Sequence, residues 1–418
     1  FRNFELAMPG ASRGYDNIPG MRFGSAVTLT GSSGVRLGVL LSLLVLAVNV
    51  LSVSCRLGFL HKPKQVKELD HYRYIEMARG SEGRPELAHE ATYCWRILVP
   101  GLARLLSRAG LDLNLSFFLI TNVSLFGFLL TLWAYFGVLG FALPYRVAGL
   151  GLVGLTQGAV RWYEYQYWMT DPSCLFLMAL AFRWIAEDRS AALHAPSITA
   201  AFVRENYVVV YPYYFLHLLK RGVAPARAAA RMLTLAALPF AIFVGLRVLI
   251  VPNHRDEFLA DIADTMAFRL RHLGDSQPYL LTVGSLGVLF PLLLLFPGRI
   301  LTAARRHYDE FAVVAFFYAL LLVANNTERE LAYTLPVVVP AALRNLHDLA
   351  AAARLPAAPL LALAVALQAL FFSQQRFTEI GMSMYQPTNL VVAAAMALFW
   401  LGAQGVLFWR HPDPAPAG

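Results

Sequence analysis

The sequence predicts an all-α fold, a polytopic membrane helix bundle of about 12 transmembrane or half-spanning helices with interfacial amphipathic helices in two outside loops. Three observations carry this. The 418 residues are 58% hydrophobic and only 15% charged, with a mean hydropathy of +0.53. A soluble core does not absorb that much apolar surface, so lipid has to be the solvent for much of the chain. Apolar runs of about 20 residues, the length that crosses a ~30 Å hydrocarbon core, recur along the whole sequence. These runs are rich in Leu, Ala, Val and Phe and lack the two-residue alternation of strands. They therefore read as helices, which satisfy their own backbone hydrogen bonds in lipid.

In chain order, residues 1–34 are polar and rich in Gly and Ser and read as a cytosolic tail rather than a cleaved signal. The transmembrane domain follows over 35–410, and 411–418 forms a second cytosolic tail. Spans are expected near 35–55, 115–139, 147–160 and 171–185. Two short apolar pieces, 191–203 and 207–219, flank Arg204-Glu205-Asn206 and read as a helical pair with an ion pair at its tip. Further spans are expected near 232–251, 279–296, 311–324, 331–343, 356–372 and 390–408. The outside loops are 56–114 and 252–277. In the first, Leu98, Leu102, Leu105 and Leu106 share one helical face with Arg104 and Arg108 opposite, the pattern of a helix lying in the membrane interface. In the second, Phe258, Ile262, Met266 and Leu270 repeat the pattern.

The net charge is +9, with a pI near 9.5. No soluble basic domain exists to carry it, so nucleic acid is not the implied partner. Basic clusters sit in short loops assigned to the inside: Lys220-Arg221 with Arg227 and Arg231, Arg299 with Arg305-Arg306, Arg344 with Arg354, and Arg410. That places both termini in the cytoplasm of a multi-pass protein. The cysteines, Cys55, Cys94 and Cys174, show no metal-ligand spacing. Cys55 and Cys94 can face the same compartment, so they are either free thiols or a pair. No Walker A loop, Rossmann glycine fingerprint, HExxH or serine elbow is present, which argues against soluble nucleotide chemistry and against a bound cofactor.

The residues able to carry chemistry lie mostly on the outside. Asp70 and Arg96 lie in the first loop, which is either a solvated loop with surface ion pairs or a segment at headgroup level, where a lipid-linked substrate presents its phosphate. Arg204 and Glu205 either neutralise each other or line a cavity. Asp171 either caps its helix or contributes to a site. In Thr327-Glu328-Arg329-Glu330, Thr327 and Glu330 fit a capping box, and Arg329 is either a neutralised surface charge or a planar fork for phosphate. His272 reads most simply as solvated. The aromatic run from Trp162 to Trp168 reads as an interfacial belt in which Glu164 can still reach a sugar.

Several of these pieces, taken in order, resemble the GT-C superfamily of glycosyltransferases that use polyprenyl-phosphate sugars, in particular bacterial mannosyl- and arabinosyltransferases. Asp70-His71-Tyr72-Arg73-Tyr74, with Ala78, resembles the Asp-x-x-x-Tyr-x-x-x-Ala segment of their first outside loop. Tyr93-Cys94-Trp95-Arg96-Ile97-Leu98-Val99-Pro100 is similar to an aromatic-x-x-Arg-x-Leu-x-Pro stretch. Thr170-Asp171-Pro172, Arg204-Glu205 and Arg329-Glu330-Leu331 with Pro336 resemble further features. Asp70 lacks the adjacent acid that some members carry. The resemblance implies an inverting hexosyl- or pentosyltransferase of the plasma (inner) membrane, bacterial and acting in the cell envelope. It implies Asp70 as general base, Arg329, Arg96 and Arg204 on the donor phosphate, and Asp171, Glu164, Glu205, Tyr74 and His272 toward sugar or acceptor. The partners would be a polyprenyl-phosphate sugar, membrane lipids and a lipid, glycan or protein acceptor. No metal cluster is evident, although a lone Asp with water can hold a divalent ion. A secondary transporter and a non-catalytic subunit of a larger membrane complex are the competing classes.

Overall fold

The computed structural model describes residues 32–61, 70–90, 92–253, 255–272, 282–323, 327–374, 376–377, 382–383 and 387–410. Both predicted tails fall almost wholly outside the described residues. The described residues are helical apart from a minimal antiparallel pairing of Arg376–Phe377 with Met382–Ser383 and an isolated bridge between Glu90 and Asn253. Among the described residues, three helices, Ser33–Leu57, Leu113–Val138 and Pro225–Leu249, are long and apolar enough to cross a membrane. Ala357–Ser373 and Ala394–Leu407 are shorter apolar helices.

The long helices start and stop for local reasons. Asp112 opens Leu113–Val138 by accepting the backbone N–H of Asn114 at 2.8 Å and of Leu115 at 3.0 Å. Gly140, at φ +82°, ends it in the left-handed conformation that glycine adopts without strain. This helix packs along Asp171–Ala186, with the Ser124 and Ser173 hydroxyls 2.9 Å apart and the Phe176 ring seated against Gly127. Ser32–Leu57 and Pro225–Leu249 do the opposite. Leu40, Leu44, Phe240 and Leu249 are 53% exposed or more, as expected of side chains whose solvent is lipid.

Among the described residues, buried ion pairs gather at opposite ends of three helices. Val210–Lys220, of 11 residues, begins just after Arg204 and Asn206 and ends at His217 and Lys220. Tyr308–Leu320, of 13 residues, begins at Asp309 and Glu310 and leads to Arg329 and Glu330. Leu335–Ala353 begins beside Tyr333 and carries Arg344. At ~1.5 Å per residue these helices set the two groups of ion pairs roughly 16–20 Å apart. In one group Asp309 accepts from Lys220 at 2.8 Å with His217 at 3.3 Å, and Glu310 accepts from Arg344 at 2.5 Å. The other group contains Asp171, Arg204 and Glu330.

Several expectations are corrected. The run from Trp162 to Trp168 is not a lipid-facing belt. Tyr163, Tyr167 and Trp168 are at most 2% exposed, because Val160–Tyr165 is a buried helix packed on Ser32–Leu57. Asp171 starts its helix but makes no capping bond, since its carboxylate faces Arg204 and Tyr333. Glu330 does not close a capping box, since its two oxygens are taken by Arg204 and Asn206. Cys55 and Cys94 are free thiols, one of the two states that the sequence left open for them.

Candidate active site

The site is assembled from stretches far apart in sequence. Asp70 is the first residue of the helix Asp70–Arg79. Its Oδ2 accepts from Arg329 Nη1 at 2.5 Å across 259 positions of chain, and its Oδ1 accepts from the Tyr93 hydroxyl at 2.9 Å. Arg329 also lies 3.5 Å from Asp171 through Nε. Asp171 accepts from Arg204 Nη1 at 2.8 Å and from the Tyr333 hydroxyl at 3.0 Å. Arg204 reaches Glu330 at 3.1 Å, and Asn206 donates to the same carboxylate at 2.7 Å.

Beside this lies a second pair. Arg96 forks onto Glu205 through Nε and Nη2 and donates to the Tyr74 hydroxyl at 2.7 Å. Arg204 and Glu205 do not neutralise each other. Arg204 has an extended backbone (φ −168°, ψ 141°), so the two side chains leave on opposite sides of the strand. Arg204 turns toward Asp171 and Glu205 toward Arg96. The stretch 89–98 is pinned against these elements. Leu98 N–H donates to Phe202 O at 3.0 Å, Trp95 Nε1 to Ile250 O at 3.0 Å, and Asn253 N–H to His89 O at 2.8 Å.

The cluster thus has three arginines and four carboxylates, with a closed and an open side. Asp171 and Glu330 have side chains 0% and 5% exposed, whereas Asp70 and Glu205 are 24% and 32% exposed. Arg329 is a buried bridge between the two sides, and Arg96, also buried, holds Glu205 on the open one. A charge taken this far from water persists only if paired, so the buried carboxylates fix the arginines, while the carboxylates of Asp70 and Glu205 stay partly open to solvent. Burial opposes ionisation of Asp70, but Arg329, the Tyr93 hydroxyl and Arg204 outweigh it and hold the carboxyl well below the usual range.

Of the residues read from the sequence, Asp70, Arg96, Arg204, Asp171, Glu205 and Arg329 meet in this one cluster. Tyr74 belongs to it as a buried phenol on Arg96. Glu164 does not join it. Its carboxylate is buried, with Asn122 at 3.4 Å as its hydrogen-bond partner among the described residues, and burial pushes it up to about 8. His272 lies at the end of Arg255–Arg271, with its ring against Phe268, and its contacts among the described residues do not include the cluster. Tyr93, Tyr333 and Asn206 were not singled out in advance. Tyr93 lies three residues before Arg96 and Tyr333 one turn after Arg329, which are the signals that point to them.

Glu164 gives a testable pH effect. A carboxyl raised in the folded chain is protonated there while the unfolded chain ionises near 4.5, so stability falls as pH rises from about 4.5 toward 8. Glu164→Gln is expected to leave the melting temperature unchanged below pH 5 and to raise it by roughly 2–4 °C or more at pH 8. Thermal unfolding in detergent at both pH values checks this, and an equal effect at both would show that Glu164 does not titrate as described.

No family model matches the chain, and no curated protein matches it either.

Proposed function

We propose that the chain is an inverting membrane glycosyltransferase of GT-C type. It moves a hexosyl or pentosyl unit from a polyprenyl-phosphate donor to an acceptor hydroxyl on the non-cytosolic face of a bacterial plasma membrane. The chain crosses that membrane about twelve times, half-spans included, with both termini in the cytoplasm.

The observation that carries this reading is the contact of Asp70 with Arg329, an accessible acid against a buried guanidinium. The reaction needs this combination. The acceptor O–H loses its proton to a carboxylate, the oxygen attacks the anomeric carbon, and the carbon–oxygen bond to phosphate breaks with its electron pair leaving on the phosphate. A guanidinium facing that phosphate stabilises the departing charge. In the resting chain Arg329 suppresses the basicity of Asp70. When a donor phosphate draws Arg329 toward itself, the Asp70 carboxylate is released and becomes the stronger base. Arg96 adds a second cation near the phosphate, Glu205 orients hydroxyls from the open side, and Arg204, Asp171 and Glu330 hold Arg329 in place.

Membranes containing the chain are expected to transfer label from a polyprenyl-phosphate sugar. In Arg329→Gln, transfer is expected to fall by about 10²-fold or more. The acid limb of its residual rate is expected at higher pH than in the wild type, because Asp70 loses the cation that holds its carboxyl low. Unchanged activity, or an acid limb that stays in place, would remove Arg329 from this role.

A further inference from the structure

On the face of the Asp70–Arg79 helix away from Asp70 lies a cleft of about 920 Å³. At ~100° per residue, Tyr72, Ile75, Glu76 and Arg79 point to the cleft while Asp70 and Tyr74 point to the arginine–carboxylate cluster. The far wall is Leu98–Arg108, which contributes Arg104 and Arg108, and Arg84 comes from the turn between them.

We propose that this cleft binds the phosphate headgroup of an anionic membrane lipid. Four arginines from separate stretches line it: Arg79, Arg84, Arg104 and Arg108. Two of its three acids are engaged locally. Glu76 accepts from Arg79 at 2.7 Å and from the Arg84 backbone N–H at 2.8 Å, and Asp112 caps the following helix. Glu82 is left to face Arg84, Arg104 and Arg108, for which no ion pair is made among the described residues. The cleft is therefore an anion site in excess of its own acids.

Its geometry is built around Arg104. Gly80, at φ +65°, has no side chain, and a Cβ there would fall 2.2 Å from Arg104 Cζ, so the guanidinium fills the space that glycine leaves open. Membrane depth selects a lipid over a soluble anion. Leu102 and Leu105 on the Leu98–Arg108 helix are 41% and 63% exposed. A helix with that face in the acyl region holds its arginines at the level of lipid phosphates. The site needs only that the chain sits in a membrane, and it stands apart from the transfer chemistry.

The test is a titration of the detergent-solubilised full chain with fluorescent phosphatidic acid. Saturable binding is expected, weakened at least about tenfold in Arg104→Gln/Arg108→Gln, which replaces one half-buried and one exposed arginine. Gly80→Ala, which pushes Arg104 aside without removing a charge, is expected to weaken binding as well. Asp70→Asn is expected to bind as the wild type does, which separates this site from the proposed active site. Phosphatidylcholine and millimolar inorganic phosphate should not compete. Equal binding by the wild type and the double variant overturns the proposal. Displacement by inorganic phosphate as effective as by the lipid also overturns it, by making the site one for soluble phosphate.

Discussion

Asp70→Asn is expected to lower sugar transfer by about two to four orders of magnitude while the chain folds and inserts as the wild type does. The amide keeps the shape of the carboxylate and can still accept from Tyr93, so the local packing survives. Arg329 is not stranded, because Asp171 lies 3.5 Å away on its other side. What is lost is the lone pair that takes the acceptor proton. The test compares label transferred from a polyprenyl-phosphate sugar in membranes holding equal amounts of both proteins. Transfer at wild-type rate by the variant would take Asp70 out of the mechanism.

Arg204→Met should have the largest effect on stability. Arg204 satisfies two buried carboxylates at once, Asp171 at 2.8 Å and Glu330 at 3.1 Å, with its own side chain 4% exposed. Removing one partner of a buried ion pair costs about 3–5 kcal/mol, since the remaining charge has nowhere to be solvated. Here two charges are left with weaker company, Tyr333 and Arg329 for Asp171 and Asn206 for Glu330. The variant is expected to accumulate poorly and to melt far below the wild type in detergent. Adding Asp171→Asn and Glu330→Gln removes the uncompensated charges and should recover most of the lost stability. A single variant as stable as the wild type would mean that Arg204 does not hold this group together.

The membrane character and the helical class were legible from composition and run length, because both follow from bulk hydrophobicity. Leu113–Val138 illustrates this, starting two residues before the span expected at 115–139 and ending one residue before it. Pro225–Leu249 begins seven residues earlier than the expected 232, since Arg227 and Arg231 are good helix formers that hydropathy reads as loop. The site was legible residue by residue but only partly in its wiring. Asp70, Arg96, Asp171, Arg204, Glu205 and Arg329 were all recognisable as costly charges near apolar segments. Arg204 was given the wrong partner, because adjacency suggested Glu205, whereas an extended backbone at Arg204 parts those neighbours. For Glu330 the local capping pattern competed with a contact 126 positions away, and the buried charge prevailed. The aromatic run misled for a related reason: Trp and Tyr mark membrane interfaces and protein cores alike, and only the packing of Val160–Tyr165 against Ser32–Leu57 separates the two.

The most direct test is an experimental structure of the chain with polyprenyl phosphate bound. The account predicts the phosphate within hydrogen-bond distance of Arg329, with the contact between Arg329 and Asp70 opened and the Asp70 carboxylate facing the acceptor side. A phosphate bound elsewhere, with Asp70 and Arg329 still joined, would contradict it.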